Sequence, residues 1–179
     1  MPSVPYTQQR RVARFRDQRW LLDAVIKQIG VEFDQSRLQY LSAPLSPDHR
    51  GAVLGLQSQV KRWDDIAPEF AGVARRFEVQ ARAAVAQGHE VSAGDSFFAA
   101  SVMYGGAQWP IFADTDLLQA LEHKKTECFL EYAKRAHHHV EAIEVPYQGK
   151  SLAAYLYLPP GYSGERRKHP VRAADVQTG

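Results

Sequence analysis

The sequence has very little cysteine and almost no excess of either charge. Cys128 is the only cysteine among 179 residues, so no disulfide can form within the chain, and nothing indicates an oxidising compartment. The formal net charge of +2 is too small to predict a nucleic-acid-binding protein. No apolar run approaches a membrane-spanning length, and the N-terminus lacks the apolar segment of a signal peptide. We therefore expect a cytoplasmic protein with neither nucleic-acid nor membrane partners.

The familiar catalytic motifs are also absent. The sequence contains no G-x-S-x-G, no glycine-rich phosphate loop, no CxxC pair and no HExxH. Ser96 in "GDSFF" opens a predicted helix and follows no predicted strand, so it is not expected to be a nucleophile. We predict no catalytic residue, no metal site and no cofactor for this chain.

Residues 1–139 are predicted to be mostly helical. Apolar residues recur at helical spacing in "FRDQRWLLDAVIKQIG" and in "IAPEFAGVARRFEVQARAAVAQG", which end at Gly30 and Gly88. Ser46 and Pro47 are typical of a helix N-terminus, after a looser stretch that follows Gly30. These features predict a helical module.

Two further helix starts are predicted from polar residues. Ser92 with Asp95 resembles a capping box for the helix "GDSFFAASVMYGGAQW". Asp114 or Thr115 is expected to cap a last helix that reaches the histidines at 137–139, where a basic end suits the helix dipole. His123 and Glu127 share a face of that helix, as two metal ligands can. Because no second helix offers a matching pair of His or Cys ligands, a solvated helix end is the favoured interpretation.

The stretch "EVPYQGKSLAAYLYLPPGY", from Glu144 to Tyr162, has the pattern of a β-hairpin. Gln148 and Gly149 form its two-residue turn, and the second arm is rich in Tyr and Leu. Because an isolated hairpin is barely stable in water, it is expected to join a larger sheet. We predict two domains, a helical one over residues 1–139 and a β-containing one over residues 140–179.

The N-terminal segment is rich in arginine, with two aromatic residues between the basic ones. An anionic partner is one interpretation, but the low net charge favours an ordinary basic surface. The residues concerned are Arg10, Arg11, Arg14, Phe15, Arg16, Arg19 and Trp20.

Aromatic residues are concentrated on and just after one predicted helix, and they are the candidate substrate-binding residues. Gly105 and Gly106 lie in the same helix, where each glycine costs about 1 kcal/mol relative to alanine. Close packing against another backbone or against a ligand would explain them. Two interpretations stay open for the aromatic set: a hydrophobic core, or the lining of a cleft between domains. Its members are Phe97, Phe98, Tyr104, Trp109 and Phe112.

Three stretches, "SFFAASVMYGGAQW", "HKKTECFLEYAKRA" and "IEVPYQGKSLAAYLYLPPG", follow one another in this order. Together they resemble the α/β-hydrolases that carry a helical N-terminal cap, in particular the 2,6-dihydroxypseudooxynicotine hydrolase-like family and the related fermentation–respiration switch esterases. "SFFAASVMYGGAQW" is similar to the cap helix of that family, and "HKKTECFLEYAKRA" to the helix that leads out of the cap. "IEVPYQGKSLAAYLYLPPG" is similar to the first hairpin of the hydrolase core. The resemblance covers roughly Trp63 to Val171 and implies a mostly α chain that ends in the start of an α/β-hydrolase sheet.

The sequence departs from this family after Val171, where "RAADVQTG" replaces the expected apolar strand and oxyanion loop. The resemblance implies serine-nucleophile hydrolysis of an ester or a ketone C–C bond of a small-molecule substrate in complete relatives. The nucleophile, acid and histidine would lie further along, so we expect a truncated and inactive cap fragment. The alternative is a free-standing helical interaction module without catalysis, whose hairpin pairs with a partner or, in a homodimer, with itself.

Overall fold

The computed structural model describes residues 6–113 and 115–161, with the backbone alone for residues 6–12. The described part of the chain is mostly helical, and its last two elements form an antiparallel hairpin, as predicted. It divides into two units between Ala136 and His137. The elements are α1 (Tyr6–Ile29), a 3₁₀ helix (Gly30–Asp34), α2 (Gln35–Ser42), α3 (Pro47–Gln59), α4 (Trp63–Ala86), α5 (Glu90–Gln108), α6 (Asp116–Ala133), β1 (His139–Tyr147) and β2 (Lys150–Leu158).

The core of the helical unit lies mainly between α4, α5 and α6. Phe70 of α4, Phe97 and Met103 of α5, and Cys128 of α6 are each at most 2% exposed. Cys128 therefore lies in the core. Burial, together with the nearby carboxylates, raises the pKa of its thiol to about 12, so the thiolate that a reactive cysteine needs is disfavoured.

The stretch after Gly30, which the sequence presented as loose, is helical. Gly30 has a φ of +68°, and a Cβ at this position would lie 2.9 Å from the carbonyl oxygen of Gln57. Both facts require glycine there. The chain then forms the 3₁₀ helix and α2, and the Asp34 carboxylate caps α2 by accepting from the backbone N–H of Arg37 at 3.1 Å.

The predicted helix ends are only partly correct. Gly88 follows α4 with a φ of +75°, as a C-terminal glycine should, and the Thr115 hydroxyl caps α6 by accepting from Leu118 N–H at 3.2 Å. Asp114 lies outside the described residues. The predicted capping box of Ser92 and Asp95 is wrong, because α5 begins earlier, at Glu90, and both residues lie inside it.

The last helix is shorter than predicted, since α6 ends at Ala133. Consequently the histidines at 137–139 do not form a helix end, and His139 is the first residue of β1. Over the described part of the chain, no helix combines the length and apolarity that crossing a membrane requires.

The hairpin of β1 and β2 pairs from His139↔Leu158 to Tyr147↔Lys150. Gln148 and Gly149 both have positive φ, 47° and 74°, so the turn is of the type that matches the twist of the flanking strands. The described residues form a sheet of these two strands alone. The predicted change after Val171 lies outside the described residues.

The two glycines in α5 have different surroundings and give a first prediction. A Cβ on Gly106 would lie 2.7 Å from Cδ1 of Phe70, whereas one on Gly105 would meet only Lys125 Cδ at 3.6 Å. Gly105→Ala is expected to raise the free energy of unfolding by about 0.5–1 kcal/mol, the ordinary gain in a helix. Gly106→Ala is expected to lower it by about 1–3 kcal/mol through overpacking.

Urea unfolding followed by circular dichroism measures both changes. The pair is its own control, because the same substitution is made at adjacent positions of one helix. Stabilisation by both variants would show that the Phe70 ring moves aside at little cost.

Candidate functional site

The five predicted substrate-binding residues do not form one surface. Phe97 and Tyr104 are buried in the core. Phe98 is half-buried and packs against the ring of Tyr132, with ring centroids 4.9 Å apart. Trp109 is half-buried just after α5, and Phe112 is 56% exposed. The set therefore splits into core residues, one packing residue on the α6 side and two residues at the end of α5.

Trp109 and Phe112 belong to an aromatic cluster that the sequence did not reveal. The Trp63 ring stacks on Trp109 with centroids 6.4 Å apart and lies 5.9 Å from Phe112. Phe15 of α1 meets Phe112 edge-on at 5.0 Å, and Phe33 meets Trp109 at 6.2 Å. Aromatic rings thus converge from α1, the 3₁₀ helix, α4 and the segment after α5, and we call them the aromatic cluster.

Polar groups border the aromatic cluster. The guanidinium of Arg37 lies 4.4 Å from the centroid of Trp109, within cation–π range. The indole N–H of Trp63 donates to the carbonyl oxygen of Pro110 at 3.3 Å, whereas the buried Trp109 Nε1 meets no acceptor among the described residues. The aromatic cluster therefore presents a partly exposed apolar surface with one cation, Arg37, at its border.

A second feature, which we call the Glu78 network, joins α4, α5 and α6. The carboxylate of Glu78 is 8% exposed and accepts from Tyr104 Oη at 2.8 Å, Arg82 Nη2 at 2.7 Å and Lys124 Nζ at 3.0 Å. Glu127 of α6 accepts from the same Arg82 and Lys124, at 2.6 and 3.0 Å. The charges of two carboxylates and two cations therefore neutralise one another beside the Tyr104 hydroxyl.

The protonation states in this network suit a structural role. Burial pushes the pKa of Glu78 upward, but the hydrogen bonds from Arg82, Lys124 and Tyr104 outweigh burial and hold it below its ordinary value. Burial, reinforced by the hydrogen bond to Glu78, raises the pKa of Tyr104. Tyr104 thus stays a protonated donor rather than a base. Tyr104 and Glu78 tie three helices together and offer no reactive group to a ligand.

A buried histidine forms a third feature that sequence reasoning missed. His49 of α3 is 6% exposed, its Nδ1 lies 2.7 Å from Ser46 Oγ, and its Nε2 lies 3.2 Å from Ser96 Oγ. Burial lowers the pKa of His49, and Asp95 and Asp48 oppose this effect only partly. Ser96 itself is 2% exposed, so this serine–histidine pair has no approach for a substrate and links α3 to α5.

The remaining candidates from the sequence are on the surface. Glu127, considered as a metal ligand, is engaged by Arg82 and Lys124, and no three donor side chains of the described residues lie close enough to share a metal ion. In the basic N-terminal segment, Arg19 pairs with Asp64 and Asp23, while Arg14 and Arg16 are exposed. The side chains of Arg10 and Arg11 are outside the described part of the structure.

Comparison with known proteins gives consistent results. Residues 63–168 match a protein-family model described as "Esterase FrsA-like". The chain is similar to Esterase FrsA of Photobacterium profundum, with 29% identity over 91 residues, which are 51% of this chain and 22% of that protein. The crystal structure of the 2,6-dihydroxy-pseudo-oxynicotine hydrolase shares the fold, with a TM-score of 0.53 and 24% identity over 70% of this chain and 34% of the other. This chain thus spans about a fifth and a third of the lengths of these two proteins.

Proposed function

Because this chain belongs to the FrsA-like esterase family, we propose that residues 1–139 form the helical cap of a serine hydrolase and that residues 140–179 open its α/β core. The family relationship supports a hydrolase of esters or of C–C bonds beside a ketone. In this proposal the chain as it stands is catalytically inactive, since its sequence contains no nucleophile elbow.

The surface of the hairpin is the observation that carries this proposal. Cross-strand partners share a face, and apolar residues occupy both faces. One face carries Ile143, Val145, Leu152, Leu156 and Leu158, and the other carries Val140, Ala142, Tyr155 and Tyr157. Most of these large side chains are at least 40% exposed. Large apolar residues on both faces of a sheet, here beside Glu141 and Lys150 on one face and Glu144 on the other, are typical of α/β proteins, in which helices cover each side.

The helical unit would contribute to substrate binding through the aromatic cluster. Of the five predicted binding residues, Phe112 and Trp109 are those that a substrate could reach, with Phe98 half-exposed on the α6 side. Phe97 and Tyr104 would act from the core by supporting α5. A cap of this kind covers the reacting bond and excludes water from it.

An assay with p-nitrophenyl butyrate tests the proposed inactivity. Purified protein is expected to hydrolyse this ester no faster than the Ser96→Ala variant, and both are expected to match the rate without protein. Since loss of triad residues lowers turnover by several orders of magnitude, the difference from a complete esterase should be large. Turnover above background that survives the Ser96 substitution would show another nucleophile and overturn this part of the proposal.

The nucleotide sequence downstream of the Val171 codon tests separately the hypothesis that this chain is a truncated or frame-shifted product. Translation in the other two frames is expected to give an apolar strand, followed within roughly a hundred residues by G-x-S-x-G, in the strand–elbow order of the fold. If neither frame contains these elements, the hypothesis of a truncated or frame-shifted product fails.

A free-standing helical interaction module is the second candidate, and the independent core of the helical unit favours it. This alternative predicts a well-behaved species that unfolds in one cooperative transition. An incomplete hydrolase with an uncovered apolar hairpin is expected to form soluble aggregates instead. Light scattering during urea unfolding separates the two.

A further inference from the structure

The face of α1 opposite the core carries a stripe of exposed residues. Ala13, Asp17, Trp20, Ala24 and Lys27 follow one another at spacings of three or four, so they lie on one side of the helix, and all five are exposed. On the opposite side, Ile26 is fully buried in the core. We call this stripe the α1 face.

Trp20 is the main feature of the α1 face. It is 70% exposed, although tryptophan has a large apolar area and is enriched among the residues that dominate binding energy in interfaces. One turn later comes Ala24, whose small side chain leaves room for a bulky group from another helix. A large residue next to a small one is the arrangement that lets two helices interdigitate.

The charges of the α1 face specify how a second copy of the same helix would fit. In an antiparallel pair related by a two-fold axis level with Leu22, Trp20 lies level with Ala24 of the partner subunit. In the same register, Asp17 lies level with Lys27 of the partner subunit. The two-fold symmetry repeats each pairing, so two tryptophans enter two alanine gaps and two ion pairs form.

Other registers lose this complementarity. A shift of one turn in one direction places Lys27 level with Arg14 of the partner subunit instead of Asp17, so the ion pair is lost. A shift in the other direction leaves Asp17 opposite no cation. Among these registers, only the one centred on Leu22 places each Trp20 opposite an Ala24 and each Asp17 opposite a Lys27. Residues 15–29 overlap in it, a length of about 22 Å at 1.5 Å per residue.

We propose that α1 is a homodimer interface, in which two copies pack antiparallel with Trp20 against Ala24 and Asp17 against Lys27. The proposal does not depend on the hydrolase assignment, since it involves residues before Trp63, where the family match begins. Charge pairs of this kind set the register and the choice of partner more than the affinity, whereas the two tryptophans supply the apolar contact.

Sedimentation velocity of the full chain at micromolar concentrations tests the proposal. Beside any larger species that form through the uncovered hairpin and sediment faster, the protein is expected to show a concentration-dependent equilibrium between monomer and dimer. Trp20→Ala is expected to weaken association at least tenfold, the effect of removing a central aromatic anchor. Leu54→Ala is the matched control, because Leu54 is equally exposed, at 68%, on α3 and outside the proposed interface. This variant should associate as the natural protein does.

A charge exchange tests the register. Asp17→Lys and Lys27→Asp are each expected to weaken association, because each places like charges opposite one another at both ends of the interface. The double variant restores opposite charges and is expected to recover most of the affinity, which also shows that the single variants fold normally.

Three results of the association experiments would overturn the proposal. They are a monomer at every concentration, association that Trp20→Ala leaves unchanged, and a double charge variant no stronger than the single ones. Cosedimentation of a monomeric protein with anionic vesicles through Trp20 would likewise overturn it, by assigning the α1 face to a membrane surface.

Discussion

Phe70→Ala is expected to lower the free energy of unfolding by about 4 kcal/mol, which is in the range for a fully buried phenylalanine. Phe70 is 0% exposed, and its ring lies against Gly106 of α5 and 6.0 Å from the ring of Trp109. The substitution removes the ring that fills the space between α4 and α5. Because both helices are fixed by their other contacts, this space can close only partly, and a cavity adds to the lost burial.

Phe112→Ala is the matched control for this experiment. This substitution also removes a phenylalanine ring, in this case one that belongs to the aromatic cluster. Because Phe112 is 56% exposed, the free energy of unfolding is expected to fall by about 1 kcal/mol or less. Urea unfolding of the three proteins under one condition gives both differences. Equal losses at positions 70 and 112 would mean that the core of the helical unit is not centred on the contact of Phe70 with Gly106.

The helices that could be predicted are those with local signals. Gly88 ends α4 and Thr115 caps α6 because each acts on its own backbone within a few residues, and such effects are visible in a short stretch of sequence. The end of α6 was predicted too late in the chain, because the histidines at 137–139 suit the C-terminal end of a helix dipole. In the structure, the pairing of His139 with Leu158 in the hairpin outweighs that favourable interaction.

The fate of the aromatic set illustrates what spacing could have shown. Phe97 and Tyr104 are seven residues apart and therefore share the buried face of α5, together with Ala93 and Ala100. Phe98 is the next residue after Phe97 and faces a different helix, α6. Helical periodicity alone thus separates Phe97 from Phe98, whereas both interpretations of the set, as core or as cleft lining, treated the two residues as one group.

The polar features of the helical unit could not be predicted from sequence, because they depend on long-range contacts. Glu78 is followed by Arg82 and resembles the common exposed i,i+4 pair of a helix. Its other partners, Tyr104 and Lys124, are 26 and 46 residues away in sequence. His49 likewise meets Ser96 across 47 residues. Only the packing of α3 to α6 brings these groups together and buries them.

Glu78→Ala is expected to destabilise the protein by about 3 kcal/mol, the cost typical of breaking a buried, hydrogen-bonded charge cluster. The substitution leaves the buried Tyr104 hydroxyl without its acceptor and removes a negative charge shared by Arg82 and Lys124. Glu127→Ala is the matched control. Its carboxylate is 35% exposed and pairs with the same two cations, so its loss should cost about 1 kcal/mol or less.

The same variant makes a prediction about acid. The hydrogen bonds of Glu78 outweigh its burial and hold its pKa below the ordinary value of 4.5, so the folded state binds fewer protons than the unfolded chain as the pH falls through that range. The stabilisation that Glu78 supplies is therefore complete above the unfolded pKa and is lost as the pH falls through the folded pKa. Urea unfolding between pH 7 and pH 3 should show a steeper loss for the natural protein than for Glu78→Ala.

Tyr104→Phe removes the buried hydroxyl donor that Glu78→Ala leaves without an acceptor. If the main cost of losing Glu78 is the unpaired phenol, the double variant Glu78→Ala with Tyr104→Phe should be less destabilised than the sum of the two single losses. Additive losses would instead assign the cost to the cations and to the space left between α4 and α6. In either case the Glu78 network joins α4, α5 and α6 through contacts that are distant in the sequence.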